Sequence, residues 1–187
     1  MELTRSTVER KAEEYRAEEP LYPVEQDGVE TLPAALSSGE FGRRDAEWVV
    51  RWYYRRFLGA IPNAERRAGE ERFRRTDFET VVETITAAGA ETDATEALER
   101  LTTLEGVDVA IGSAFLFYLD PERYVVVGER EWTVLEEYGE LEGPYPDPPS
   151  VEEYETYLES CRSVADRFEC DLWTLYRALW RLWKELQ

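Results

Sequence analysis

The feature that most constrains this 187-residue chain is the run Val109 to Leu119, in which Ala110, Ile111, Ala114, Phe115, Phe117, Tyr118 and Leu119 leave hardly a polar side. A helix that is apolar all round has to be buried all round, so the remaining segments must wrap it. The segment before it, Ala94 to Leu104, carries Ala94, Ala97, Leu98, Leu101 and Leu104 at helical spacing and ends near Gly106, which can take the positive φ of a helix C-cap. Two helices joined by so short a turn form a helical hairpin. Beyond Asp120-Pro121, Tyr124 to Val127 is β-rich but short and predicts an extended crossing, followed by a helix from Glu129 to Tyr138 that ends at Gly139.

The flanks are helical as well. Glu2 to Glu19 predicts a helix with Val8, Ala12 and Tyr15 on one face, stopped by Pro20. Pro23, Gly28, Pro33 and Gly39 break up the next stretch, leaving a surface connection with a short helix over Val29 to Leu36. Asp45 opens an aromatic helix, Ala46 to Leu58, closed by Gly59. Thr76 or Asp77 caps another with Phe78, Val81, Val82 and Ile85 buried and Gly89 at its end, and Thr92 or Asp93 caps the first hairpin helix. A proline-rich linker, Gly143 to Pro149, leads to a helix capped by Ser150 with Glu153 at the capping-box position, and a last helix runs from Asp171 to Leu186. The expected fold is all-α with about eight helices. The chain reads as a single domain with two lobes, 45–141 as a core and 1–44 packed with 142–187.

Charge and composition narrow the functional classes. No histidine is present, and Cys161 and Cys170 lack the spacing of a metal knuckle or redox pair, so His-based catalysis and cysteine clusters are excluded. No apolar run is long enough for a membrane span and the N-terminus is charged, so a cytoplasmic protein with no membrane partner is expected. The net charge is −19, and Lys11 and Lys184 are the only lysines. Abundant glutamate with scarce lysine is the texture of proteins adapted to concentrated salt, where acidic surface maintains solubility. At molar salt the Debye length falls to about 3 Å, so such a surface still permits approach to a nucleic acid, with little gain from counterion release. The one local excess of positive charge is Arg66, Arg67, Arg72, Arg74 and Arg75, either a phosphate-contacting patch or a solvated face paired with Glu65, Glu70 and Glu71. Trp52 and Tyr53 are candidates for the wall of a pocket that stacks a base, or for core.

The series Leu104-Glu105-Gly106-Val107-Asp108, running into the small residues Ala110, Gly112, Ser113 and Ala114, resembles the helix-hairpin-helix element of the DNA base-excision glycosylase superfamily. The resemblance covers about Asp45 to Leu141. The C-terminal Cys161-Arg162 and Ala178-Leu179-Trp180 are similar to small uncharacterised proteins related to that fold. The resemblance implies that the turn Gly106, Val107, Asp108 and Val109 offers backbone N–H groups to a DNA phosphate, with a bound K+ or Na+ completing the site and no other cofactor.

This copy departs from the family at three positions. Asp108 stands where a second glycine is usual. The residue that should be the catalytic aspartate is Gly128, and the place of the lysine nucleophile of bifunctional members is Ala110. Glu129, and after it Asp120, are the nearest carboxylates. The resemblance therefore implies a glycosylase-like protein without standard catalysis and with residual DNA binding. One alternative is an active N-glycosylase using Glu129. Another is a partner-binding helical protein with an exposed aromatic patch at Trp180 and Trp183.

Overall fold

The computed structural model describes residues 2–187, which form ten α-helices and no strand. In chain order these are α1 (Arg5–Glu18), α2 (Tyr22–Ser38), α3 (Arg43–Arg55), α4 (Asn63–Arg74), α5 (Phe78–Ala90), α6 (Ala94–Leu101), α7 (Val109–Leu119), α8 (Glu129–Glu137), α9 (Val151–Phe168) and α10 (Leu172–Glu185). The all-α expectation holds. Helix α7 is the axis: every residue from Ala110 to Leu119 is buried, and α2, α3, α5 and α6 pack against it. Helix α1 lies along α10, which in turn covers α8. Among the described residues no helix is long and apolar enough to cross a membrane.

Side-chain caps set many of the boundaries. Thr4, Asp77, Asp93, Asp108, Ser150 and Asp171 each accept a backbone N–H of the first turn they precede. At the last-but-one helix, Ser150 and Glu153 form the reciprocal capping box, with bonds of 3.1 and 2.7 Å. Tyr124 to Val127 is an extended crossing whose backbone has no sheet to pair with. Its polar groups are met by side chains instead: the Tyr154 and Tyr157 hydroxyls donate to the Val125 and Val126 carbonyls at 3.0 and 2.9 Å, and the Val127 N–H donates to Ser113 Oγ at 3.0 Å.

Three segments differ from their patterns. Within Leu21 to Gly42 there is a long helix, Tyr22–Ser38, not a connection with a short helix: Pro23 sits in its first turn, where no N–H is needed, and Pro33 is tolerated inside it. Gly28 is there for space, since a Cβ on it would lie 3.0 Å from the Tyr118 ring and 3.3 Å from that of Trp48. Gly89 does not end α5, which runs on to Ala90; a Cβ there would meet Leu119 Cδ2 at 2.9 Å. The arginine-rich segment 63–74 is itself a helix, amphipathic through Gly69, Glu70 and Phe73. With α2 and α4 complete, ten helices replace the expected eight.

The buried face of α2 carries Glu25, fully enclosed. It accepts hydrogen bonds from Tyr15 Oη at 2.7 Å and Trp52 Nε1 at 2.8 Å. Burial pushes this carboxyl up to about 7, against the two donors and the charge of Arg56, which favour ionisation. A carboxyl raised in the folded state favours folding while it is protonated, and that contribution is lost as pH rises from its unfolded value, about 4.3, through 7. The loss reaches roughly 4 kcal/mol. Glu25→Gln, which retains an acceptor for Trp52, is expected to raise the thermal midpoint at pH 8 and change it little at pH 5; equal shifts at both values would refute this role for Glu25.

Candidate functional site

The hairpin is formed by α6, the turn Thr102–Asp108, and α7. Gly106 has φ +75°, so the turn requires glycine for conformation. It requires it for space as well, because a Cβ would lie 3.0 Å from the Gly69 carbonyl oxygen, 3.0 Å from the Phe73 nitrogen and 3.1 Å from Arg72 Cβ. Helix α4 is therefore seated directly on the turn. Thr76, just past its end, accepts the Glu105 N–H at 3.3 Å, and Arg43 donates to the Thr76 carbonyl at 3.4 Å. Val107 is buried and Val109 partly so, whereas Asp108 is exposed and accepts the Ile111 N–H at 2.9 Å. The carboxylate thus fills the first capping position at the N-terminus of α7, where an anion would otherwise bind.

The arginines divide along α4. Arg66 pairs with Glu70 at 3.1 Å, and Arg74 with Glu47 at 3.2 Å and Glu71 at 3.9 Å. Arg67, Arg72 and Arg75 are exposed and form no ion pair among the described residues. Arg72 and Arg75 belong to the end beside the hairpin turn.

A cleft of about 420 Å³ opens next to this turn, between the end of α3, the N-termini of α7 and α8, the 143–147 linker and α10. Tyr53, Arg72, Asp108, Glu129 and Tyr145 line it. Trp52 does not: it is buried, stacks on Phe117 and is tied to Glu25, so it is core and not pocket wall. Glu129 is exposed in the first turn of α8 and makes no ion pair or side-chain hydrogen bond among the described residues. Trp180 is buried, its indole N–H donating to the Arg56 carbonyl at 3.2 Å, and Trp183 is half-buried under Arg130, so neither forms an exposed aromatic patch.

Beneath the cleft lies a pair that the sequence does not announce. Arg56 and Glu131 have side chains with no solvent exposure and bond at 2.9 Å, while a second Arg56 nitrogen donates to the Val127 carbonyl at 3.2 Å. The rings of Phe57, Tyr53 and Tyr176 surround the guanidinium, at 4.5, 5.1 and 5.9 Å from their centroids. The pair explains Gly128. Its φ of −165° suits any residue, but a Cβ there would lie 2.0 Å from Arg56 Nη2 and 2.8 Å from Glu131 Oε2. The position where the resemblance expects a catalytic carboxylate is occupied by a guanidinium. The alternation exposed Glu129, buried Arg130, buried Glu131 follows from the α8 helical face, yet nothing in the heptapeptide Val127 to Thr133 marks Glu131 as the residue that goes inside.

Breaking such a pair leaves an unpaired buried charge, at a cost of roughly 3–5 kcal/mol. Glu131→Gln and Gly128→Ala should both lower the urea midpoint substantially, whereas the double change Arg56→Met with Glu131→Leu should cost clearly less than the sum of its two parts; additive losses would show that the two side chains do not act as a pair.

Comparison of the chain with protein-family models, with curated proteins and with solved structures found no match.

Proposed function

We propose that this chain is a helix-hairpin-helix, glycosylase-like protein that has lost standard base excision and engages nucleic acid along the edge made by the hairpin turn and the C-terminal end of α4. The observation that carries the reading is the seating of α4 on Gly106, with Arg72 Cβ 3.1 Å from where a Gly106 side chain would begin and unpaired Arg75 one turn on. Two free guanidiniums beside a short turn suit bidentate phosphate contact. A monovalent cation, K+ or Na+, between Asp108 and a phosphate oxygen would offset their repulsion, an arrangement that concentrated salt favours.

Gly128 and Ala110 supply neither the electrostatic nor the nucleophilic group of excision chemistry. Glu129 is the carboxylate that an active N-glycosylase would use here. It lies at the cleft but in an exposed first turn, without the enclosure that tunes a catalytic carboxylate.

In concentrated potassium chloride, the purified protein should bind a duplex carrying an abasic-site analogue more tightly than the matching intact duplex, without releasing a base from either. Arg72→Glu with Arg75→Glu should weaken that binding about tenfold or more, while Arg67→Glu, in the N-terminal half of α4, should leave it nearly unchanged. Base release abolished by Glu129→Gln would establish the enzyme reading instead, and no binding to either duplex would refute both.

A further inference from the structure

The cleft beside the hairpin is built for a charge opposite to that of the arginine edge. Four carboxylates line it, those of Glu65, Asp108, Glu129 and Asp147, against two guanidiniums. Only one guanidinium is free. Arg130 is buried, donates to the Arg56 and Phe57 carbonyls at 3.3 and 2.7 Å, and lies 4.1 Å from the centroid of Trp183. Arg72 stands on the hairpin side. The cation below the floor, Arg56, is matched by Glu131. Glu65, Glu129 and Asp147 have no ion-pair or side-chain hydrogen-bond partner among the described residues, so three unpaired carboxylates face one free guanidinium in the cleft.

The walls are aromatic. Tyr53 and Tyr145 line the cleft along with Phe57 and Trp183, and burial pushes both tyrosine phenols well above their ordinary range, so they are neutral rings at any working pH. Aromatic faces combined with carboxylates form the environment that holds an organic ammonium ion, whose apolar substituents a hydrated metal ion lacks. A further group points to the ligand. Tyr53 is nine-tenths buried, yet its hydroxyl donates to no acceptor of the chain while the residue borders the cleft. The hydroxyl is not enclosed with the ring, so it is reached from the cleft, where a ligand oxygen can take the place of water as its acceptor. A ligand carboxylate would be repelled by the four acids, so a ligand acceptor at this hydroxyl is a neutral oxygen.

We propose that this cleft binds a small alkylated ammonium ion bearing a neutral oxygen acceptor, a quaternary ammonium alcohol, with the cation between the rings and the carboxylates of Glu129 and Asp147 and the oxygen on Tyr53 Oη. The site shares Arg72 with the arginine edge but rests on the carboxylates and rings, and it stands whether or not the protein binds nucleic acid.

The test is calorimetric titration of the whole protein with choline and with its neutral isostere 3,3-dimethylbutan-1-ol. Choline should bind saturably, and the isostere at least about tenfold more weakly, since the shapes match and only the charge differs. Glu129→Gln with Asp147→Asn should weaken choline about tenfold. Tyr53→Phe should weaken choline but not tetramethylammonium, which has no oxygen to lose. Equal affinity for choline and the neutral isostere would overturn the proposal, as would no detectable choline binding by protein with an intact thermal transition. The comparison of the two ligands on the unmodified protein decides the matter even where a variant fails to fold. Duplex binding, measured separately, neither supports nor weakens this assignment.

Discussion

A buried ion pair joins the elements that define both candidate surfaces. Arg56 leaves the end of α3, Glu131 comes from α8, and Val127 from the extended crossing contributes its carbonyl. The backbone carbonyl of the same arginine receives the Trp180 indole of α10 and one nitrogen of Arg130. Enclosing two charges costs several kcal/mol apiece in desolvation, so the pair adds little net stability compared with a packed apolar alternative. Its role is one of arrangement: five hydrogen-bonding directions in a planar guanidinium specify how α3, α8 and the crossing meet, where apolar contacts alone would admit several packings.

From that junction the cleft takes its form. Because the guanidinium fills the space beside residue 128, α8 begins at a glycine, and the first residue free to project outward is Glu129. Arg130 turns inward over the Trp183 ring and closes the floor. Two fields meet at the hairpin. Arg72 and Arg75 border the turn, and Arg72 also lines the cleft, where four carboxylates outnumber two guanidiniums.

A second buried acid has a different logic. Glu25 has no cation in contact with it, only the donors of Tyr15 and Trp52, and it belongs to a cluster of rings in which Tyr15, Trp52, Tyr118 and Tyr176 meet edge to face or tilted. With neutral donors alone the carboxyl remains easier to protonate than an ordinary acid, whereas Glu131 has a formal charge opposite it. Two fully buried glutamates of one chain thus sit in two electrostatic settings.

The amino-acid sequence by itself determined the elements governed by local rules. The all-round apolar run at Val109 to Leu119 demanded a central helix, Thr92 or Asp93 and Ser150 marked helix starts because such side chains reach the next turn's N–H groups, and Gly106 marked the hairpin because it can take positive φ, whereas the capping of α7 by Asp108 came only from the structure. Tertiary structure alone decided what depends on the far side of a contact. Whether Gly28, Gly89 and Gly128 were breakers or close approaches was settled by Tyr118, Leu119 and Arg56, residues distant in the chain. Trp52 was assigned to the core by Glu25 and Phe117, not by its own spacing. Arg56 and Glu131 look like surface charges in their own segments, and only the packing of α3 against α8 and α10 encloses them, because a charge goes inside where a partner 75 positions away meets it.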